Sequence, residues 1–344
     1  MKASNHLHFY VGTYTDDPSQ SQGIAQVSLN TSSGELTRLD DAMVIRNPSY
    51  LTHTSSGLYT FSEVSRSDSA VLVFQSDARF DVLAIEGDYP CHIDVDCQQR
   101  YAAVANYGSG NVNVYMLDGD GKPLKLVADL FVDGKGANSE RQQSPHAHQV
   151  QFLNHTPQLA VVDLGSDSLH LYDIDTQSDQ FQLHQTVSLP PGCGPRHLVM
   201  NGDEDMAYVV CELAETLITL TKEGNHWRMV DQCDLLPGQP KGEAAAAIKL
   251  SSDERFIYVS CRQQNAISIF ELVDGLPSWL AAQDCQGQFP RDFTLSSDGN
   301  WLIVANQHSN NLASYLRCQS TGLLTPANYQ CQVDAPVCLI EHFV

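Results

Sequence analysis

The chain has 344 residues, of which 42% are hydrophobic and 17% charged, a globular balance that excludes a disordered chain. Acidic side chains outnumber basic ones 41 to 19, a formal charge of −22 that repels nucleic acid and anionic membranes, so neither is an expected partner. An anionic ligand must then be gathered by positive charge placed locally.

From the N-terminus, Met1 to His8 is polar, and the run Phe9-Tyr10-Val11 is far too short for an export signal or a membrane span. Ten cysteines follow along the chain without a C-x-x-C pair; the closest spacings are Cys91/Cys97 and Cys331/Cys338. They read as reduced, mostly buried thiols of a cytoplasmic protein, with no structural zinc.

A short pattern then recurs: proline, two variable residues, an apolar residue, a polar turn, and an apolar strand that ends in a polar residue. It begins at Pro48, Pro90, Pro145, Pro195, Pro290 and Pro336, with Ala245 standing in the one copy that lacks proline. Successive starts lie 42, 55, 50, 50, 45 and 46 residues apart. That is the length of four short strands with their turns, the unit of a propeller blade. The segments are rich in Val, Ile, Tyr, Phe and Leu, and NVNVYML (111–117), SLHLYDI (168–174) and AISIFEL (266–272) alternate as half-buried strands do. The seventh copy is split, with Pro336 onward at one end of the chain and HLHFYVGTY at the other. The fold expected is all-β, a single seven-bladed propeller over 1–344 with four-stranded antiparallel blades. Residues about 6–14 should pair beside 337–344 to close the ring without an exposed edge.

In such a ring the innermost strands line the channel, so the residues after each proline should converge on one mouth. The polar residues that end the second strands (Glu63, Asn106, Asp163, Glu212, Arg262, Asn306) should approach it too. The expected cluster is His92, His146, His148, Arg196, His197, Glu212 and Arg262. Any one of these histidines is more ordinarily a residue that satisfies backbone groups at a crowded turn, and Glu212 alone could simply pair with Arg196. Four of the 13 histidines at blade starts, with a carboxylate and two arginines at matching positions, point instead to a site. No Gly-x-Ser-x-Gly elbow is present, so a serine nucleophile is not expected.

At these residues the chain resembles the lactonase family of seven-bladed propellers, which includes one class of 6-phosphogluconolactonase and the fungal carboxymuconate cyclases. The stretches that carry the resemblance are YVGTYT (10–15), NPSYL (47–51), PCHIDVD (90–96), VANYGSGNVNVY (104–115), PHAHQV (145–150), VVDLGSDSLHLYD (161–173), GPRHLVM (194–200), YVVCEL (208–213) and VANQHSNNL (304–312). PHAH, GPRH and Glu212 are the most specific. Two places depart: Cys211 and Cys261 stand where the family more often has Asn, and Asp292 where a histidine is common.

The resemblance implies hydrolysis of an anionic sugar lactone, 6-phosphogluconolactone to 6-phosphogluconate, with no cofactor and no metal. His148, Glu212 and Arg196 would be catalytic. Glu212 and His148 would share the acid and base roles, and Arg196 would lie nearest the developing oxyanion. His92, His146, His197, Arg262 and Asn106 would bind substrate, with Arg262 and His146 or His197 on its phosphate or carboxylate. Both catalytic side chains should stand in a solvent-filled mouth. The other readings are an enzyme of another organic-acid lactone, including muconate cyclisation, and a propeller that binds protein without catalysis.

Overall fold

The computed structural model describes residues 5–77 and 79–342. These form seven antiparallel sheets, and the only helical segment among them is the 3₁₀ turn Arg66–Asp68. They divide into two compact units: Ser49–Gln232, and the described residues up to Pro48 together with those from Cys233 onward. Ser49–Gln232 holds the sheets of 51–84, 90–130, 147–188 and, but for its last two residues, 195–234. The other unit holds those of 245–284 and 290–332 and the sheet that joins the two ends of the chain.

Six sheets take four consecutive strands in chain order, the blade expected from the repeat. In the seventh, His6–Thr13 lies between Gly23–Asn30 and Pro336–His342, with Val11 opposite Ala25 on one side and Leu339 on the other. This is the closure read from the split repeat; Phe343 and Val344, part of that expectation, lie outside the described residues. The outer edge of this sheet departs from a simple fourth strand. It is divided between Leu36–Arg38 and Met43–Val44, which pair with opposite ends of Gly23–Asn30.

Cores form where one sheet faces the next, because a single blade leaves an apolar face uncovered. Val162, Leu169 and Leu171 of 147–188 pack on Val209, Ile218 and Trp227 of 195–234, all buried. In the other unit, Phe256, Tyr258 and Ile267 meet Phe293, Val304 and Tyr315. Each large side chain buried in this way contributes roughly 1.5–3 kcal/mol. Buried phenols tie neighbouring blades as well. Tyr59 Oη donates to the Gly121 carbonyl at 2.6 Å, and Tyr258, at the same place in its own blade, donates to Gly322 at 2.8 Å. Burial pushes the Tyr59 hydroxyl up to about 12, so it remains a donor.

Candidate active site

Two positions recur where inner strands begin. The first is a β-bulge. Pro195 pairs with Cys211 and His197 with Val210, which leaves Arg196 as the extra residue. The same irregularity leaves out His148 between Ala147 and Gln149, Cys91 between Pro90 and His92, Arg291 between Pro290 and Asp292, and Val337 between Pro336 and Cys338. A bulge re-aims its residue away from the strict alternation of the ladder.

The second position directly follows the neighbouring strand: Tyr14, Tyr107, Leu164, Glu212, Arg262 and Gln307. Each donates its backbone N–H to a carbonyl just before the bulged strand. Glu212 donates to Gly194 at 2.7 Å, Tyr107 to Tyr89 at 3.0 Å, Arg262 to Ala244 at 3.2 Å and Tyr14 to Ala335 at 3.1 Å. The turns that supply these carbonyls enter left-handed backbone at Gly194 (φ 58°), Tyr89 (51°) and Ala335 (42°). At Gly194 a Cβ would also stand 2.5 Å from Leu213 Cγ.

Within Ser49–Gln232 these positions bring a compact polar group together. Glu212 is paired with two guanidiniums: its Oε1 accepts from Arg141 Nη2 at 2.8 Å, and its Oε2 stands 3.2 Å from Arg196 Nε in an ion pair. The side chains of Glu212 and Arg196 are 5% and 4% exposed, so both charges are out of water and each depends on the other. Arg141 also donates to Tyr107 Oη at 3.2 Å. Burial opposes the Arg141 charge, but the Tyr107 hydroxyl and the Glu212 carboxylate outweigh it and push the guanidinium pKa up. Next to this pair the imidazoles gather. His197 meets His148 and His92 edge-on, each with centroids 5.4 Å apart, and Tyr50 lies against His92 at 4.1 Å. His148 Nδ1 stands 3.9 Å from Cys91 Sγ and its ring is edge-on to Tyr107 at 5.4 Å.

Buried carboxylates fix the turns beneath. Asp163 accepts from the N–H of His146 at 2.6 Å and of Gly165 at 2.9 Å. Burial would raise its pKa, but contacts with His170, Ser166 and His146 lower it. Asp167 accepts from Gly192 N, Gly194 N and Gln142 Nε2 at 2.7, 2.8 and 2.6 Å, tying the loop that carries Arg141 to the turn before Arg196.

Of the residues expected here, His92, His148, Arg196, His197 and Glu212 stand in this cluster. His146 stacks on Tyr107 at 4.6 Å with Nδ1 2.7 Å from that residue's carbonyl. Asn106 is fully buried, and its amide donates to Asn113 at 3.1 Å inside its own blade. Arg262 belongs to the other unit, where Nε donates to the Ala244 carbonyl at 2.8 Å. Two readings need correction. Glu212 and His148 are buried, at 4% and 6% exposure, where a solvent-filled mouth was expected. Asp163, Asn106 and Asn306 are also not counterparts of Glu212: they pair with Ala147, Pro90 and Pro290 as Cys211 pairs with Pro195, so Leu164, Tyr107 and Gln307 hold that place. Asp292, in place of the family's common histidine, accepts from Leu339 N at 2.9 Å and latches two inner strands. Arg141 was missed, because it lies in the connection between Pro123–Leu130 and Ala147–Phe152, outside the repeat. Its only trace in the sequence is the 55-residue interval from Pro90 to Pro145.

The sequence matches the family described as Lactonase, 7-bladed beta-propeller over residues 8–341. The chain belongs to this family. It is 31% identical over 343 residues to the 6-phosphogluconolactonase of Bacillus subtilis (strain 168), covering 96% of this chain and 97% of the relative. It is 27% identical over 331 residues to that of Formosa agariphila, covering 92% and 94%. Among solved structures, the periplasmic gluconolactonase of Pseudomonas aeruginosa matches with a TM-score of 0.89 at 27% identity, covering 98% of this chain and 99% of that one. The propeller and the enzyme class expected from the sequence are therefore those of the lactonase family, and lactone hydrolysis is its activity. Among the described residues no three His, Cys, Asp or Glu side chains are grouped to hold a metal ion, and no helix is long and apolar enough to cross a membrane.

Proposed function

We propose that this lactonase hydrolyses 6-phosphogluconolactone to 6-phosphogluconate by general acid–base catalysis at the His148–Arg196–Glu212 cluster. The observation that carries the reading is the buried Glu212 carboxylate clamped by two guanidiniums beside a group of imidazoles. A carboxylate with both oxygens so engaged would have to give up an ion pair to take a proton, so the base is His148. His148 accepts a proton from water as the water oxygen bonds to the lactone carbonyl carbon. Arg196 faces the negative charge that grows on the carbonyl oxygen, and Glu212 holds Arg196 in place. The ring C–O bond then breaks, and the proton on His148 passes to the leaving ring oxygen. His92, His197 and His146 bind the sugar.

The B. subtilis relative supports the phosphorylated substrate, and the gluconolactonase relative makes the unphosphorylated lactone the competitor. The ten cysteines, none of them joined in a disulfide, support a reducing compartment and with it the cytoplasm. Steady-state hydrolysis of both lactones by the parent and by His148→Ala is the test. The variant should lose about 10²-fold or more in kcat. Parent-like turnover by the variant would remove His148 from the mechanism, and a parent that prefers gluconolactone would overturn the substrate.

A further inference from the structure

We propose that Arg291, Arg262, Tyr14 and His308 form a binding site for a phosphate dianion. The inference rests on the reading above only in taking the lactone's phosphate as one source of that group.

Arg291 is the bulge residue of Pro290–Leu295, the place that His148 and Arg196 hold in their own strands. Its Nη2 donates to Tyr14 Oη at 2.8 Å and its Cζ stands 5.2 Å from the centre of that ring. Tyr14 in turn follows its strand as Glu212 does. Arg262 is fixed by the Ala244 and Ala245 carbonyls at 2.8 and 3.2 Å, with Cζ 5.2 Å from the Phe289 ring. Phe289 stacks on His308 at 3.9 Å and 13°, and it enters left-handed backbone (φ 63°), a conformation that costs a bulky residue energy. Burial, and then the charges of Arg262 and Arg291, lower the pKa of His308, so its imidazole is neutral at pH 7.

Tyr14 and His308 line a cavity of about 560 Å³ with Asn47 and Gln307. Asp16 and Asp17 share its wall, but Asp16 is held by Arg46 at 2.7 and 3.0 Å and by Asn47 at 2.8 Å. Two guanidiniums joined to this lining, Arg291 through Tyr14 and Arg262 through the Phe289 ring that stacks on His308, form with the phenol and the imidazole a donor set for a compact dianion. On a chain of formal charge −22, that anion must be held by such local contacts.

The test is an inorganic phosphate titration of the full chain, followed by NMR at the His308 imidazole. Neutralising the two arginines should raise the His308 pKa saturably. Arg291→Ala should weaken the response at least 10-fold, and Tyr14→Phe, which removes one hydrogen bond of Arg291 but leaves its charge, should weaken it less. Circular dichroism checks that each variant is folded. No saturable response in the parent, or parent-like phosphate affinity in folded Arg291→Ala, overturns the site. Kinetics separate the two sources. If the lactone's phosphate binds here, Arg291→Ala raises KM for phosphorylated lactone about 10-fold more than for gluconolactone. Equal effects on both, with the phosphate response intact in the parent, assign the site to free phosphate. A parent that hydrolyses neither lactone but binds phosphate through Arg291 overturns the proposed function and leaves this site standing.

Discussion

Replacing Glu212 by glutamine keeps the side chain's shape and removes the one negative charge that two guanidiniums share. Arg196, 3% exposed, then holds a buried charge without its counterion, and breaking a buried pair in this way costs about 3–5 kcal/mol. The low end applies, because the amide oxygen still accepts a hydrogen bond and the side chain of Arg141 is 40% exposed and can be rehydrated. A loss of about 3 kcal/mol lowers Tm by roughly 4 °C in a chain of this size. Activity should fall further than stability. An Arg196 no longer held in place is a lost oxyanion donor, worth about 10²–10³ in kcat. Calorimetry and lactone hydrolysis on the same preparation read both effects. The double variant Glu212→Gln/Arg196→Met, which removes both charges, should recover part of the lost stability and none of the activity. Glu212→Gln with an unchanged Tm and near-parent turnover would refute the account of Glu212 as the buried hub of the site.

Arg141→Ala should lower activity with little effect on stability. Its half-exposed ion pair contributes under about 1 kcal/mol, while kcat/KM should drop about 10-fold, as lactone hydrolysis and thermal melts would show. Asp94 carries a pH signature. Burial pushes its carboxyl up to about 7 against the Phe152 and Val95 N–H bonds, so the folded chain keeps a proton that the unfolded chain has lost. Stability should therefore fall as pH rises from about 4 to 7. Asp94→Asn should abolish that loss and gain about 1–2 kcal/mol at pH 8, less than the full shift implies because Asp94 is partly exposed; denaturant melts at pH 4.5 and 8 check it. Deleting 337–344 removes nearly all of the partner strand of His8–Thr13 and should abolish cooperative unfolding, whereas a melt like that of the full chain would contradict the closure.

The blades were legible because each repeats the same burial problem, and proline, turn and apolar strand mark its start in every copy but the one at Ala245. The aim of the side chains was not. A bulge adds a residue to a hydrogen-bond ladder without requiring any particular residue type, so counting from proline places His148 three residues on and Arg196 one residue on. The ladder puts both at one position. The same blindness matched Asp163 with Glu212. Depth was hidden too: Glu212 reads as a charged strand end, and only packing shows that two arginines, one from an irregular connection, bury it. Asn106 reads as the same kind of polar strand end, yet it is spent on Asn113 inside its blade.

The bulges also bear on how chemistry changes on this scaffold. A residue outside the ladder can be exchanged without shifting the inward and outward alternation of its neighbours, so five inner strands each offer a socket set apart from the register of the blade. His148, Arg196 and Arg291 fill three with ionisable groups, whereas Cys91 and Val337 fill two with small apolar ones. A lactonase of this architecture can acquire a new specificity by single substitutions at such sockets, with the strands that present them left as they are.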